Sequence, residues 1–337
     1  MTTQRRGVAL TPMETRDDII LRTARLADEL GYEAFAVPEG WGLDASLLLT
    51  EAASRTRRIK LVSGILSVWG RTPGTLAMTA ATLHRLSGGR FVLGLGPSTR
   101  ALVEGFHDVR FAHPADKLRE TTIKVRALLA GERALLDTTA GSRPLRLGQP
   151  AVPELPIWLA AMGDRTVRVA AELADGWFPV FVARDQVLDR VQTIGKAREA
   201  AGLRTGPLTV AAGPMTVAVD DAAVARRIAA ACIAWYLSAM GDVYARFVTE
   251  QGYGGAVQAI LDANPHPRPD AGVVPGEAQV VLDQFTAHGT PGQVRDQLAA
   301  WDGAVDIAMI GLPPGLPWAA IEATLHAAAP GSRGGGG

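Results

Sequence analysis

Apolar positions recur along this chain with two periods, and the two alternate from one end to the other. Runs that are apolar on successive positions and rich in Val, Ile, Leu and Phe read as strands covered on both faces, as in a parallel sheet rather than a hairpin with one wet face. They occupy residues 7–10, 33–37, 59–65, 90–95, 156–160, 176–180, 208–219 and 305–310. Between them, helical spacing of apolar residues covers 17–30, 45–55, 74–86, 115–129, 165–174, 184–201, a long region from Asp220, and 319–328. Strand followed by helix eight times over predicts an α/β fold, a (β/α)8 TIM barrel. A doubly wound sheet would need fewer strands or a second domain. The unit is clearest in 59–98, where Leu76, Ala80, Leu83 and Leu86 stripe a helix that Gly88 and Gly89 close, with an apolar run on either side.

The rhythm breaks twice, so the barrel carries insertions. Residues 133–153 hold a polar turn and a short run before the fifth strand, an excursion from the fourth helix. The largest insertion, about 222–288, lies between strands seven and eight: 222–251 and 257–261 read as helices, and the proline-rich stretch 264–277 reads as an irregular loop. A long loop of that kind inside a compact domain is usually a lid or a binding loop. Residues 289–301 then resume the barrel, with Thr290 as helix N-cap and Pro291 at the first helical position. The expected organisation is one TIM-barrel domain over 1–330, followed by a disordered glycine-rich tail, 331–337.

Composition narrows the function classes. With 47% apolar residues in a chain of 337, a large core can form. Lysine plus arginine equals aspartate plus glutamate at 34 each, so the positive field of a general nucleic-acid binder is absent. Cys232 is the single cysteine and lies in an apolar helical stretch, which excludes an internal disulfide and suits a core position in a reducing compartment. The two early arginines precede no apolar signal-like run, and the stretch 228–240 is too short and interrupted to span a bilayer. A cytoplasmic protein with a small-molecule substrate, and neither nucleic acid nor membrane as partner, is expected.

In a barrel, chemistry stands at the C-terminal ends of the strands. After the second come Glu39, Gly40, Trp41 and Asp44; an apolar ring beside Glu39 would keep it protonated near neutral pH, making Glu39 a proton donor and Trp41 a stacking wall. Equally, this is a helix-entry loop in which Asp44 caps 45–55 and Glu39 is solvated. After the third comes Gly64, and glycine inside a buried strand marks a bulge or a close approach. After the fourth come Gly94, Gly96, Pro97 and Ser98, which lack the third glycine of a dinucleotide fingerprint and suit a tight barrel corner. After the fifth, Ala161, Met162 and Gly163 lead through Asp164, Arg165 and Thr166 into a helix whose free N–H groups could take a phosphate, unless Asp164 caps them itself. None of the six histidines pairs at metal-ligand spacing, so no metal site is expected; His107 is the one placed to reach the rim. No G-x-S-x-G elbow or cysteine nucleophile supports hydrolysis.

Three segments together, 64–98, 160–177 and 289–315, resemble the bacterial luciferase-like superfamily, in the same order and over nearly the whole chain. The text GLGPS followed by Val103-Glu104-Gly105, and the tyrosine-rich stretch 235–254, resemble the coenzyme F420-dependent oxidoreductase branch, including methylenetetrahydromethanopterin reductase. The resemblance implies a deazaflavin in the mouth of the barrel, backed by a bulge with a cis peptide between non-proline residues, here Gly64–Ile65. Gly96, Pro97, Ser98 and Thr99 would line the ring, Ala161 to Thr166 would take the phosphate, and the loop 264–277 would cover the site. It implies an F420H2-dependent reductase passing hydride to an electron-poor C=C or C=N, with Glu39 or water completing protonation. A homodimer is expected separately, because apolar-rich barrels with an outer helix such as 17–30 often pair. The alternatives are an FMN-dependent monooxygenase of a two-component system and a non-catalytic flavin-binding barrel. One departure stands out: the family's sugar-phosphate dehydrogenases carry a histidine after the second strand, where this chain has Gly40.

Overall fold

A computed structural model describes residues 4–137, 142–200, 202 and 208–331. Its strands are β1 (Arg6–Ala9), β2 (Ala34–Val37), β3 (Lys60–Ser63), β4 (Leu66–Ser67), β5 (Phe91–Gly96), β6 (Ile157–Leu159), β7 (Gly176–Trp177), β8 (Thr209–Ala212), β9 (Met215–Ala218), β10 (Thr286–Gly289) and β11 (Ile307–Gly311). Pairing is parallel throughout, and β1 pairs with both β2 and β11, which closes the barrel. The eight staves are β1, β2, β3 with β4, β5, β6, β7, β8 with β9, and β11. This is the (β/α)8 barrel that the alternation predicts.

Two staves are broken, for different reasons. The run 208–219 is interrupted at Gly213–Pro214, yet β8 and β9 keep one register against β11. A Cβ on Gly213 would lie 2.2 Å from the Met309 carbonyl oxygen, so the main chains touch there and only glycine fits. In the third stave the register slips by one: Val62 faces Val92, whereas Leu66 faces Leu95. One extra residue on that strand is a β-bulge, and it falls on Gly64 and Ile65.

The helices differ from expectation at their ends and in the insertion. Residues 222–251 are not one helix; Ala222–Ala239 stops before Gly241 (φ 80°), and Asp242–Val248 begins after it. Two short elements had no pattern of their own: the helix Arg100–Gly105, and β10, whose Thr-Ala-His-Gly text is no apolar run and which is a strand only because β9 projects beyond the barrel to pair with it. Local caps follow the sequence: Asp44 accepts from Ser46 N at 2.8 Å, Thr72 precedes Pro73, and Thr290 with Gln293 forms a capping box behind Pro291. The predicted tail lies outside the described residues, Gly331 excepted.

Two cores hold the barrel. The outer one lies between sheet and helices; the inner one fills the barrel with Val62, Val92, Trp158, Ile307 and Met309 among small residues such as Ala34, Ala36 and Ala211. Large and small residues face each other: a Cβ on Gly176 would overlap the Trp158 ring at 2.4 Å, and one on Gly7 would overlap the Met309 sulfur at 2.1 Å. Cys232 is buried, and burial pushes its thiol up to about 12, as suits an inert core residue.

Candidate active site at the C-terminal mouth of the barrel

Above this filled interior, at the C-terminal ends of the staves, opens a cavity of about 990 Å³. Its floor is the bulge. Gly64 and Ile65 line it, and the peptide bond between them is cis, as the resemblance implied. The bulge interrupts the ladder to β5, and Ser63 repairs it: its hydroxyl accepts from Gly94 N at 2.8 Å and donates to Gly94 O at 3.0 Å. Gly94 must be glycine, since a Cβ there would lie 1.8 Å from the Ser63 carbonyl oxygen. Gly96 is close-packed too, since a Cβ there would lie 3.0 Å from the Ile65 side chain. Ser63 was not singled out in the sequence, because nothing local marks a serine that bonds a strand thirty-one positions away.

The fourth-strand exit contributes Gly96, Pro97, Ser98 and Thr99 to the lining, with Ser98 in the left-handed region (φ 59°). A non-glycine residue held there is uncommon and clusters at binding sites. Thr99 caps the helix Arg100–Gly105.

At the fifth-strand exit Met162, Gly163, Asp164, Arg165 and Thr166 line the cavity. Ala161 does not: it is buried behind the wall, where its carbonyl accepts from Trp177 Nε1 at 2.8 Å. Gly163 is the N-cap of the helix Asp164–Leu173 and has no side chain to satisfy the first N–H groups. The alternative in which Asp164 caps the helix is therefore not realised, because Asp164 is itself the first helical residue. Arg165 reaches outward to Asp116 at 3.2 Å, both largely exposed.

Glu39 and Trp41 both line the cavity, but the surroundings expected of Glu39 are corrected. Its carboxylate accepts both arms of Arg71, which also donates to Asp44 at 2.9 Å. Glu39 thus has a bidentate guanidinium partner in place of an apolar ring, while Trp41 stays 47% exposed. The Glu39 bonds raise the Arg71 pKa against an opposing contribution from burial, and Asp44 adds to the rise. Asp44 does cap Ala45–Arg55 as expected. His107 misses the cavity; its ring packs on Gly70.

The remaining wall comes from the insertion, though not from the loop 264–277. That loop lies on the outer side of the helix Ala222–Ala239, where Gly272 packs so closely that a Cβ would lie 2.7 Å from Ala234. Asn264 staples it, accepting from Val273 N at 2.9 Å and donating to Val273 O at 2.8 Å. Facing the cavity instead are Trp235, Tyr236, Met240 and Tyr244, with Phe181 after β7 and Phe285 before β10. The aromatic density of 235–254 was the available signal, but helical spacing alone reads such residues as core.

The luciferase-like monooxygenase family model matches residues 1–306. The chain belongs to that family. A Mycobacterium tuberculosis relative named as a coenzyme F420-dependent oxidoreductase is 31% identical over 82% of this chain and 86% of its own. A phthiodiolone/phenolphthiodiolone dimycocerosates ketoreductase of Mycobacterium sp. (strain JLS) is 28% identical over 80% of this chain and 73% of its own. Among solved structures, the coenzyme F420-dependent tetrahydromethanopterin reductase of Methanopyrus kandleri superposes with a TM-score of 0.78 at 21% identity, over 96% of this chain and 97% of that one. At that identity the superposition speaks for the fold. In this family member part of the insertion, around 235–246, supplies cavity wall.

Proposed function

We propose that this chain is a coenzyme F420-dependent reductase acting on an electron-poor C=C or C=N of a small molecule, to which the name of the ketoreductase relative adds C=O. The supporting observation is the pairing, in one cavity, of a glycine-lined floor at Gly64–Ile65 with an uncapped helix N-terminus at Gly163–Thr166. The floor suits a flat ring brought against bare backbone, and the open N–H groups of the helix suit a phosphate. The residues present therefore fit the cofactor named for the Mycobacterium tuberculosis relative. When bound, the reduced deazaflavin supplies a hydride. The chain's own part is to hold it with Gly64, Ile65, Gly96 to Thr99 and Met162 to Thr166, and to exclude water with the insertion. With Glu39 engaged by Arg71, the proton on the product comes from water or from another donor on the wall.

The family's name keeps a second reading alive, an FMN-dependent monooxygenase fed by a separate reductase. Fluorescence titration with F420 and with FMN, followed by anaerobic turnover, separates the two. F420 binding and oxygen-independent oxidation of F420H2 by an acceptor are expected. Tight FMN binding with turnover only in oxygen would transfer the assignment to the monooxygenase.

A further inference from the structure

Backbone strain gathers on one loop of the mouth. Among the described residues, four that are not glycine sit in the left-handed region, and three of them lie in the segment that joins β5 to the helix Pro114–Leu129. Ser98 (φ 59°) stands at its start, Asp108 (φ 52°) in its middle and His113 (φ 52°) at its end. Strained positions persist only where their surroundings hold them, and they cluster at switches and ligand clamps. His113 is also the N-cap of the helix that follows, yet its side chain makes no capping bond. A strained residue therefore stands at each point where the segment leaves a rigid element, which is where hinges absorb changes of φ and ψ.

Between these hinges the segment is bound to itself rather than to the barrel. Thr99 caps the helix Arg100–Gly105, and Arg100 pairs with Glu104 at 2.9 Å. Glu104 accepts from Phe111 N at 3.1 Å, and Val109 N donates to Val103 O at 3.1 Å. Among the described residues, no hydrogen bond or ion pair joins 98–112 to any other part of the chain. What crosses is packing: Val103 is buried, the Phe111 ring lies 5.8 Å from Trp69, and His107 rests on Gly70. Apolar contacts have no preferred direction, so the unit can shift without breaking a polar bond. Its inner side lines the cavity through Thr99, Leu102 and Phe106, and Phe106 is left 58% exposed there.

We infer that residues 98–112 are a hinged flap that swings on Ser98 and His113 to close over a ligand in the mouth, with Phe106 as the residue that seals it. The structure shows the flap open, with the Phe106 ring in water; transfer of that ring onto a ligand drives closure. The flap takes the part expected of the loop 264–277, which Asn264 staples on the outer side of the insertion. The inference rests on the mouth as the ligand site, and the reductase reading enters only through the choice of F420 as probe.

Spin labels on Leu47→Cys and Arg110→Cys measure the swing in the full chain. Both side chains are exposed and neither lines the cavity, while Cys232 is buried and takes no label. Without ligand, double electron–electron resonance is expected to give a wider spread of distances for this pair than for a control pair, Leu47→Cys and Ile123→Cys, both on helices of the frame. Saturating F420 is expected to narrow the flap pair to a single distance and leave the control unchanged. Phe106→Ala truncates an exposed side chain; it is expected to undo the narrowing and to raise the F420 release rate about tenfold, with association within about twofold. A free-chain spread no wider than the control overturns the inference whatever the chain binds. So does a spread that bound F420 leaves unchanged, or a narrowing that survives Phe106→Ala. If neither F420 nor FMN binds, the reductase reading fails and the free-chain spread alone decides the flap.

Discussion

Replacing Ser63 by alanine tests the account of the cavity floor most directly. The side chain is fully buried, and alanine nearly matches its volume, so no cavity opens and the loss is almost purely polar. Two hydrogen bonds disappear, the one from Gly94 N at 2.8 Å and the one to Gly94 O at 3.0 Å. Their other ends are backbone groups of a buried strand that the bulge has already pulled away from their ladder partners. A neutral hydrogen bond is worth about 1 kcal/mol net, and a buried group left unpaired costs about 1–3 kcal/mol, so Ser63→Ala should destabilise by roughly 2–4 kcal/mol. Urea unfolding reads this as a lower midpoint with an unchanged slope. Ser54→Ala, which removes an exposed hydroxyl bonded to Glu51 O, is the control and should stay within about 0.5 kcal/mol of wild type. Because the same serine holds the strand beside Gly64 and Ile65, F420 affinity should fall along with stability. A Ser63→Ala chain as stable as the control would mean that the bulge does not depend on this brace.

Other perturbations address the rest of the site and the frame. Asp164→Asn removes a negative charge from the helix turn assigned to the phosphate and should tighten F420 by about 0.3–1 kcal/mol, two- to fivefold, in a low-salt titration; weaker binding would mean that the carboxylate itself contacts the cofactor. Gln251→Leu strips the partners from Phe181 O and Ala183 N, at about 1–3 kcal/mol each, and should raise hydrogen exchange at residues 181–186 while β5 stays protected. At the opposite end of the barrel, hydrogen bonds from Arg5, opposed by burial and joined by Lys60, lower Glu33 from 4.5 to about 2. A depressed carboxylate contributes stability that is complete above pH 4.5 and is lost as the pH falls toward 2. Glu33→Gln should therefore flatten the stability profile in that window, and an unchanged profile would refute this origin of acid sensitivity.

The barrel was legible because its information is local. Doubly apolar runs mark strands covered on both faces, helical stripes mark their covers, and Asp44, Thr72 and Thr290 act on N–H groups two or three residues away. Resemblance extended this to the cis bond at Gly64–Ile65. The rest depends on which distant segments the closed sheet brings together. The partner of Glu39 is Arg71, in the loop after the next stave, and it stands where an apolar ring was expected. Strand β10 has no apolar pattern and pairs only because β9 extends past the barrel. The insertion's helical stripe announces burial without saying against what; the proline-rich loop packs on the outer side of the insertion's helix, and the aromatic residues of 235–244 face the cavity. Periodicity records that a side chain leaves water; only the fold determines whether protein or a ligand-sized space receives it.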